Sequence, residues 1–291
     1  MTLIDAIERM AARLDSAGVS FGHGTTNAFD EAAWLALWQL GLPLDGLADH
    51  EQRELAADEQ AELDALAARR IETRKPAAYL TGEAWLQGVP FTVDERCIVP
   101  RSLIAEVLAD GTVDAWLSDQ THRVLDLCTG NGSLAVLAAM AWPEVQVDAA
   151  DLSAQALAVA RLNIDRHGLA GRIALHEGDG LAAVAGQRYD LILCNPPYVN
   201  AGSMAALPAE YQAEPSIALD GGTDGMDFIR PLLAAAPAAM SEHAALVLEI
   251  GHERVHFENA FPELDVVWLP TSAGDDQVLL VTRMALSRAL G

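Results

Sequence analysis

The feature that most constrains this chain is a regular alternation of short apolar segments and amphipathic segments, which begins near Pro100. The apolar segments have the length of buried strands, and the segments between them have helical periodicity. Strands that alternate with helices form a parallel sheet covered on both faces, so an α/β fold is expected. The seven predicted strands are Arg123–Leu127, Val145–Ala150, Ile173–His176, Tyr189–Cys194, Ala245–Ile250, Val266–Leu269 and Val278–Thr282.

Two details of this pattern refine the expected topology. Helices are predicted between the strands, for example at Ser133–Ala141 and at Ser153–His167, where Gly168 ends the second one. The last two strands are joined only by Thr271–Asp276, whereas parallel neighbours need a crossover of about a dozen residues or more. The final strand is therefore expected to run antiparallel, as in a hairpin.

The segment before this pattern has helical periodicity. Apolar residues recur at three- and four-residue intervals over Leu3–Leu14, and Gly18 is expected to end that helix. A second helix is predicted at Asp30–Leu40, with its first residue as the amino-terminal cap. A third is predicted at about Glu51–Arg74, just ahead of a proline.

The composition changes again between the helical front and the sheet. Gly82, Gly88 and Pro90 interrupt a stretch in which Phe91 and Val93 alternate with other residues, a pattern typical of a β-hairpin. We therefore predict two domains joined by a hairpin linker. The parts are a small helical domain at 1–76, the linker at 77–99 and the α/β domain at 100–291.

The charge of the chain restricts its partners. Lys and Arg number 18 and Asp and Glu number 42, which gives a formal net charge of −24 at pH 7. A protein that grips duplex DNA through its phosphates needs a basic surface, so direct duplex DNA binding is not expected. A strongly acidic protein instead favours encounter with a basic partner.

The cysteines and the amino terminus indicate the compartment. Cys97, Cys128 and Cys194 show no Cys-x-x-Cys spacing, so neither a disulfide framework nor a zinc knuckle is expected. The first residues carry acids and lack the apolar core of a signal peptide. No apolar run approaches the length of a membrane span. We therefore predict a cytoplasmic protein that does not bind membranes.

A ligand-binding signal follows the first strand of the sheet. Asp126 lies near the end of that strand, and the glycine-rich turn Thr129–Ser133 leads into a helix, which lets backbone N–H groups approach a ligand closely. Asp151 ends the next strand about twenty residues on, the spacing of an acid that binds ribose hydroxyls. Asp179 ends the third strand, where it can accept a hydrogen bond from an exocyclic amine.

The glycine-rich turn alone leaves two alternatives open. Glycines also mark ordinary turns, so a nucleotide-type fold without a ligand is one of them. A dinucleotide site is the other, but it prefers a third glycine where this chain has Ala135. An acid inside the end of the first strand, as in Asp126-Leu127-Cys128-Thr129-Gly130, is instead the arrangement found in S-adenosylmethionine sites.

The second signal follows the fourth strand, where the chain has Asn195-Pro196-Pro197-Tyr198. The prolines stiffen the turn and remove two donors, so the Asn195 side-chain oxygen and the Pro196 carbonyl can both accept from one planar NH₂ group. Tyr198 is expected to supply an aromatic wall. This arrangement suits methyl transfer to an amide or aromatic amine, whose delocalised lone pair needs alignment more than it needs a strong base or a metal.

Together these motifs resemble those of the protein-glutamine N(5)-methyltransferases over nearly the whole chain. The resemblance implies a seven-stranded, Rossmann-like methyltransferase sheet, S-adenosyl-L-methionine as cofactor, and a helical front domain that recognises the substrate. The residues expected to be catalytic are Asn195, Pro196, Pro197 and Tyr198. The residues expected to bind the cofactor are Asp126, Cys128, Thr129, Gly130, Asn131, Gly132, Ser133, Asp151, Leu152, Asp179, Gly180 and Asn195.

Three stretches resemble the branch of this family that methylates large-subunit ribosomal protein L three. They are Phe21–Asn27, the Pro-Arg-Ser motif within Val99–Glu106, and Cys128 in place of the usual glycine. The sequence departs from the family pattern at Asn131, where serine is usual, and at Leu103, where proline is usual. The expected partner is therefore ribosomal protein L three, free or in an assembling large subunit, and such a basic protein suits the charge of −24.

Several alternatives remain open at this point. The same Asn195–Tyr198 loop serves adenine and guanine amines, although the chain has no basic stripe for a nucleic acid. A release-factor glutamine methyltransferase and a non-catalytic ribosome assembly factor are the others. The segments 210–215 and 219–222 also resemble the family and are expected to border the substrate cleft.

One further pattern points to a metal. His252-Glu253-Arg254-Val255-His256 matches the zinc-binding His-Glu-x-x-His sequence. A third ligand is required, and Pro262 interrupts the segment before a convincing one. We therefore predict a solvated helix start here and no metal site.

Overall fold

A seven-stranded sheet forms the centre of the computed structural model, which describes residues 1–290. The strands of the whole chain are β1 (Glu83–Leu86), β2 (Val89–Thr92), β3 (Arg123–Leu127), β4 (Gln146–Asp151), β5 (Ile173–Glu177), β6 (Tyr189–Cys194), β7 (Met240–Glu249), β8 (Val267–Thr271) and β9 (Gly274–Thr282). The order in the large sheet is β5-β4-β3-β6-β7-β9-β8. Strands β3 to β7 are parallel, and β9 runs antiparallel to both β7 and β8. This confirms the predicted Rossmann-like sheet and its terminal hairpin.

Helices cover both faces of this sheet and form the front of the molecule. They are α1 (Leu3–Ser16), α2 (Ala28–Gln39), α3 (Leu47–His50), α4 (Ala57–Thr73), α5 (Ala77–Thr81), α6 (Ile104–Ala109), α7 (Ser133–Ala141), α8 (Ala154–Arg166), α9 (Ala201–Ala206), α10 (Ile229–Ala239), α11 (Arg254–Ala260) and α12 (Arg283–Leu290). None of the helices within residues 1–290 is long and apolar enough to cross a membrane.

The central strands are apolar throughout because both of their faces are buried. Val124 of β3 packs into the cluster that contains α7, whereas Leu125 packs into the opposite cluster, which contains α10. Leu191 and Ile192 of β6 alternate in the same way. Each such side chain contributes about 1.5–3 kcal/mol through its burial. The sheet therefore holds its carboxyl edge, where the functional loops begin, on a rigid support.

The helical front differs from the sequence prediction in two places. Asn27, and not Asp30, caps α2: its side chain accepts from the Asp30 N–H at 2.9 Å. The helix predicted from Glu51 begins only at Ala57, because residues 51–55 bond to the amino terminus. The Leu3 N–H donates to the Arg53 carbonyl there. The β1–β2 hairpin is present, but a short helix, α5, occupies the start of the predicted linker.

A buried arginine connects the front to the sheet domain. Arg70 of α4 is 0% exposed, and its Nε donates to Glu31 Oε1 of α2 at 2.8 Å. Its Nη1 donates to Glu210 Oε1 at 3.3 Å, and Nη2 donates to the Ser20 carbonyl at 3.1 Å. Glu210 belongs to the segment that follows β6 and α9. Ion pairs of Arg70 therefore connect the helical front to the 210–215 segment, which leads into a wall of the cleft described next.

Candidate active site

A cleft opens at the carboxyl ends of β3, β4 and β6. Crossovers leave β3 in opposite directions at this point, which is the switch point where open α/β sheets bind ligands. The cleft contains about 1080 Å³ of empty space, including its open mouth. Its walls are the turn after β3, the ends of β4 and β5, the turn after β6, and two further segments, Arg96–Ser102 and Pro215–Ala218.

The turn after β3 forms one wall of this cleft. Of the residues of this turn predicted to bind the cofactor, Cys128, Thr129, Gly130, Asn131 and Ser133 line the cleft, whereas Gly132 does not. Cys128 has a φ of 62°, a left-handed conformation that costs a non-glycine residue about 1–2 kcal/mol. This explains why glycine is usual at this position in the family pattern. Gly130 has a φ of 56°, and a Cβ there would meet no other atom within 4 Å, so ligand atoms have space above it.

Asp126 lies beneath this turn and does not line the cleft. It is 0% exposed, and its Oδ2 accepts from the Thr129 hydroxyl and, at 2.9 Å, from the Ala135 N–H. The structure therefore gives Asp126 the role of tying the turn to α7, where direct contact with the cofactor was predicted. Burial raises the pKa of Asp126 to about 7.

The raised pKa of Asp126 predicts a dependence of stability on pH. An unfolded aspartate titrates near pH 3.9, so between about pH 4 and pH 7 the folded protein holds a proton that the unfolded chain releases. The contribution of Asp126 to the free energy of unfolding should therefore fall across that window, by up to about 4 kcal/mol, and then level off. Denaturant unfolding of the wild type and of Asp126→Asn at several pH values tests this. Equal pH dependence in both proteins would contradict it.

Asp151 is the acid that faces the cleft. Its Oδ2 accepts from the Gly130 N–H and its Oδ1 from the Ser153 N–H, each at 2.8 Å. Burial raises the pKa of this carboxyl, while the backbone donors oppose that shift. Each oxygen keeps a lone pair for a further donor, as a ribose diol requires. Within residues 1–290, Asn131 also lines the cleft, and its buried amide nitrogen has no hydrogen-bond partner.

Replacing Asp151 by alanine should weaken cofactor binding without unfolding the domain. A ribose diol would lose a charge-assisted acceptor worth about 1.5–3 kcal/mol, so the dissociation constant should rise roughly ten- to a hundredfold. Titration calorimetry with S-adenosyl-L-methionine measures this directly. Asp179→Ala is a comparison on the same wall that leaves the diol acceptor in place. Unchanged affinity in Asp151→Ala would remove that residue from the site.

The side of the cleft next to Asp151 suits a flat base. Leu152, which is 54% exposed, and Phe228 both line the cleft, and the Phe228 ring lies near Gly180. Asp179 also lines the cleft, where its carboxylate can accept from an exocyclic amine. The predicted cofactor residues at the ends of β4 and β5 are thus brought together on one wall.

The turn after β6 contributes Asn195 and Pro197 to the cleft. Pro196 is buried and lies behind them. Tyr198 does not form the predicted aromatic wall, because it does not line the cleft and its hydroxyl donates to Glu249 Oε1 at 3.1 Å. The buried Glu249 carboxylate fixes the direction of the Tyr198 ring, and the sequence pattern gave no sign of this contact.

The remaining wall joins the Pro-Arg-Ser motif to the 210–215 segment, whose individual residues had no role assigned from the sequence. Arg101 lines the cleft, and its guanidinium donates to both oxygens of Glu214, at 2.6 and 2.7 Å. Glu214 also accepts from the Val99 N–H at 2.8 Å. Although burial acts to raise it, the neighbouring His23 and Arg101 side chains lower the pKa of Glu214 to about 2. A bidentate pair of this kind fixes the Pro-Arg-Ser motif against the 210–215 segment.

The Phe21–Asn27 motif lies behind that wall. His23 is 2% exposed, and its ring centroid lies 4.3 Å from that of Tyr211. Its Nε2 is 3.5 Å from Glu214 Oε2, at the limit of the distance for a hydrogen bond. The Arg101 guanidinium lies over the same Tyr211 ring, 5.3 Å from its centroid. The motif therefore supports the cleft wall from the front domain.

The His-Glu-x-x-His pattern does not form a metal centre. His252 lies in a turn before α11, and His256 lies within that helix with its Nδ1 at 2.5 Å from Glu253 Oε2. Among residues 1–290, no three His, Cys, Asp or Glu side chains are placed to hold a metal ion together. Cys97, Cys128 and Cys194 are free thiols.

Comparison with known families matches both parts of the chain. The model described as methyltransferase small domain matches residues 107–210. The model described as PrmC N-terminal domain matches residues 5–82. The sheet domain and the helical front thus each resemble a recognised module.

Comparison with individual relatives is more specific. The chain is 52% identical over 288 residues to the ribosomal protein uL3 glutamine methyltransferase of Bordetella pertussis, covering 98% of this chain and 96% of the relative. The chain belongs to the ribosomal protein uL3 glutamine methyltransferase family. The enzyme of that name from Burkholderia pseudomallei is 50% identical over 299 residues, covering 100% of this chain and 97% of the relative. The resemblance to the branch acting on protein L three, which is uL3, is confirmed.

Solved structures support the fold of this glutamine methyltransferase. A methyltransferase from Pyrococcus furiosus matches with a TM-score of 0.50 and 17% identity, covering 78% of this chain and 99% of that one. The catalytic domain of hMettl16, solved with MAT2A 3'UTR hairpin 1, matches with a TM-score of 0.52 and 12% identity, covering 78% and 80%. At these identities the likeness concerns the fold alone.

S-adenosyl-L-methionine is the methyl donor of this enzyme, and the cleft fits that molecule. Asp151 is placed to accept hydrogen bonds from the ribose hydroxyls. The unpartnered Asn131 amide and the free space above Gly130 suit the polar tail, and Leu152 and Phe228 suit the base. These individual contacts remain predictions.

Proposed function

We propose that this enzyme methylates the side-chain amide nitrogen of a glutamine in ribosomal protein uL3. The observation that carries the proposal is the position of Asn195. It lines the same cleft as the turn after β3, so an amide held by Asn195 would lie beside the methyl donor. The near full-length identity with uL3 glutamine methyltransferases supports the choice of substrate.

The proposed chemistry depends on alignment. An amide nitrogen is a poor nucleophile because its lone pair is delocalised into the carbonyl. The Asn195 side-chain oxygen and the Pro196 carbonyl would each accept one amide hydrogen, which directs the lone pair into the cleft. When bound, S-adenosyl-L-methionine supplies an electrophilic methyl group there. The rigid Pro196-Pro197 pair keeps both acceptors in place without reorganisation during the reaction.

We infer that the helical domain at 1–76 recognises uL3. The net charge of −24 suits a basic ribosomal protein, free or in an assembling large subunit, and it opposes direct binding of duplex DNA. A ribosomal substrate also supports a cytoplasmic location.

Comparison of ribosomal proteins from a strain that lacks this enzyme tests the proposal in the cell. Mass spectrometry should show that one glutamine of uL3 loses its methyl group, and that the wild-type gene restores it. The Asn195→Ala gene should fail to restore it. An unchanged uL3 together with a change in a release factor would favour the release-factor branch instead.

A further inference from the structure

Glu249, the last residue of β7, is a buried acid without a role in the chemistry described so far. It is 3% exposed, and three donors from two different motifs converge on its carboxylate. Its Oε2 accepts from the Ser102 hydroxyl at 2.6 Å and from the Leu103 N–H at 2.9 Å. Its Oε1 accepts from the Tyr198 hydroxyl at 3.1 Å. One carboxylate thus joins the Pro-Arg-Ser motif to the Asn195–Tyr198 loop.

Tyr198 is confined both at its ring and at its backbone. A Cβ at Gly251 would lie 2.5 Å from Tyr198 Cε2, and a Cβ at Gly221 would lie 2.7 Å from Tyr198 Cα. Only glycine permits such close approach at these two positions. The ring is therefore packed against backbone, and the hydrogen bond to Glu249 fixes its remaining polar end. Because Tyr198 follows Pro196-Pro197 directly, a fixed Tyr198 also restrains the turn that carries Asn195.

The opposite wall depends on the same carboxylate. Pro100, Arg101 and Ser102 line the cleft, and Ser102 and Leu103 are held by Glu249. A proline at position 103 would have no N–H to donate, so the departure to Leu103 adds a bond to this carboxylate. None of the three donors to Glu249 belongs to the turn after β3 or to the ends of β4 and β5, which carry most of the predicted cofactor contacts.

We propose that Glu249 is a positioning residue for the amide-binding site, which fixes the Asn195–Tyr198 loop relative to the Pro-Arg-Ser wall. This role rests on the proposed function, because it concerns the same amide site. Its loss should lower the rate of methyl transfer far more than the affinity for S-adenosyl-L-methionine. A misplacement of about 1 Å in a reacting pair can cost about a hundredfold in rate.

Four variants and one matched control test this role. Glu249→Ala should lower kcat about ten- to a hundredfold and leave the cofactor dissociation constant within about twofold. Glu249→Gln should recover part of the rate, because its amide oxygen still accepts. Tyr198→Phe should also lower kcat. The double variant that combines it with Glu249→Ala should have the same kcat as Glu249→Ala alone, because the two residues act through one contact. The control is Glu253→Ala, which removes a buried acid that bonds Asn200 and His256 instead.

Hydrogen exchange at the Asn195 and Tyr198 amides, measured without substrate, separates this role from the proposed function, since Pro196 and Pro197 have no N–H. Exchange should become faster in Glu249→Ala and in Tyr198→Phe, and stay as in the wild type in Glu253→Ala. If Tyr198→Phe, which loses a single oxygen atom, exchanges and turns over like the wild type, the positioning role is wrong. If exchange changes as expected but the wild type methylates no uL3 glutamine, the proposed function fails and the positioning role stands.

Discussion

Asn195→Ala should slow methyl transfer about a hundred- to a thousandfold, the largest effect on activity that we expect from a single side chain. Loss of one directed acceptor in a preorganised site costs about 2.7–4 kcal/mol in the transition state. Without the Asn195 oxygen, the substrate amide is free to rotate, and its lone pair no longer points at the methyl group. Affinity for S-adenosyl-L-methionine should fall far less, because Asp151 and the turn after β3 remain.

Single-turnover kinetics on a uL3 peptide separates binding from chemistry in this experiment. Asn195→Asp keeps an acceptor of the same size and should retain partial activity. Asn200→Ala is the matched control: Asn200 caps α9, so its loss should cost about 1 kcal/mol of stability and leave the rate unchanged. A near-normal rate in Asn195→Ala would overturn the amide-binding mechanism.

Arg70→Ala should lower the free energy of unfolding by about 3–5 kcal/mol, the largest effect on stability that we expect. The substitution leaves Glu31 and Glu210 buried and takes away a cation that bonds both. Burial already raises the pKa of Glu31 despite the nearby Arg70. Without the arginine, Glu31 should take up a proton more readily, so the loss of stability should be smaller at low pH.

Denaturant unfolding of Arg70→Ala and Arg69→Ala gives a matched comparison. Arg69 is the neighbouring residue on α4 and is exposed, so its substitution should change stability by no more than about 0.5 kcal/mol. If Arg70→Ala lowered the free energy of unfolding no more than Arg69→Ala does, the ion pairs of Arg70 would not stabilise the contact between the helical front and the cleft wall.

The sheet could be predicted because its signal is local. Each central strand is a continuous apolar run, since residues such as Val124 and Leu125 are buried on opposite faces. The start of α4 could not be predicted in this way. The residues before Ala57 bond to the amino terminus, a tertiary contact that overrides the helical composition of that stretch.

Some features of the candidate site could likewise be predicted from the sequence, and others could not. Asp151 ends one strand and Asn195 follows another, and the carboxyl ends of parallel strands meet at one edge, so their common cleft could be predicted from the sequence. The direction of the Tyr198 side chain did not, because its acceptor, Glu249, lies 51 residues away along the chain. Ser102 reaches the same acid across 147 residues, a contact without any local pattern.

Peptide mapping of purified uL3 after incubation with the enzyme and S-adenosyl-L-methionine tests the central claim most directly. We expect one glutamine of uL3 to gain a single methyl group on its side-chain nitrogen. The same reaction with Asn195→Ala should leave that glutamine unmodified over the time in which the wild type completes it. A uL3 that stays unmethylated both as free protein and in assembling large subunits, or a methyl group on any residue other than glutamine, would contradict the proposed function.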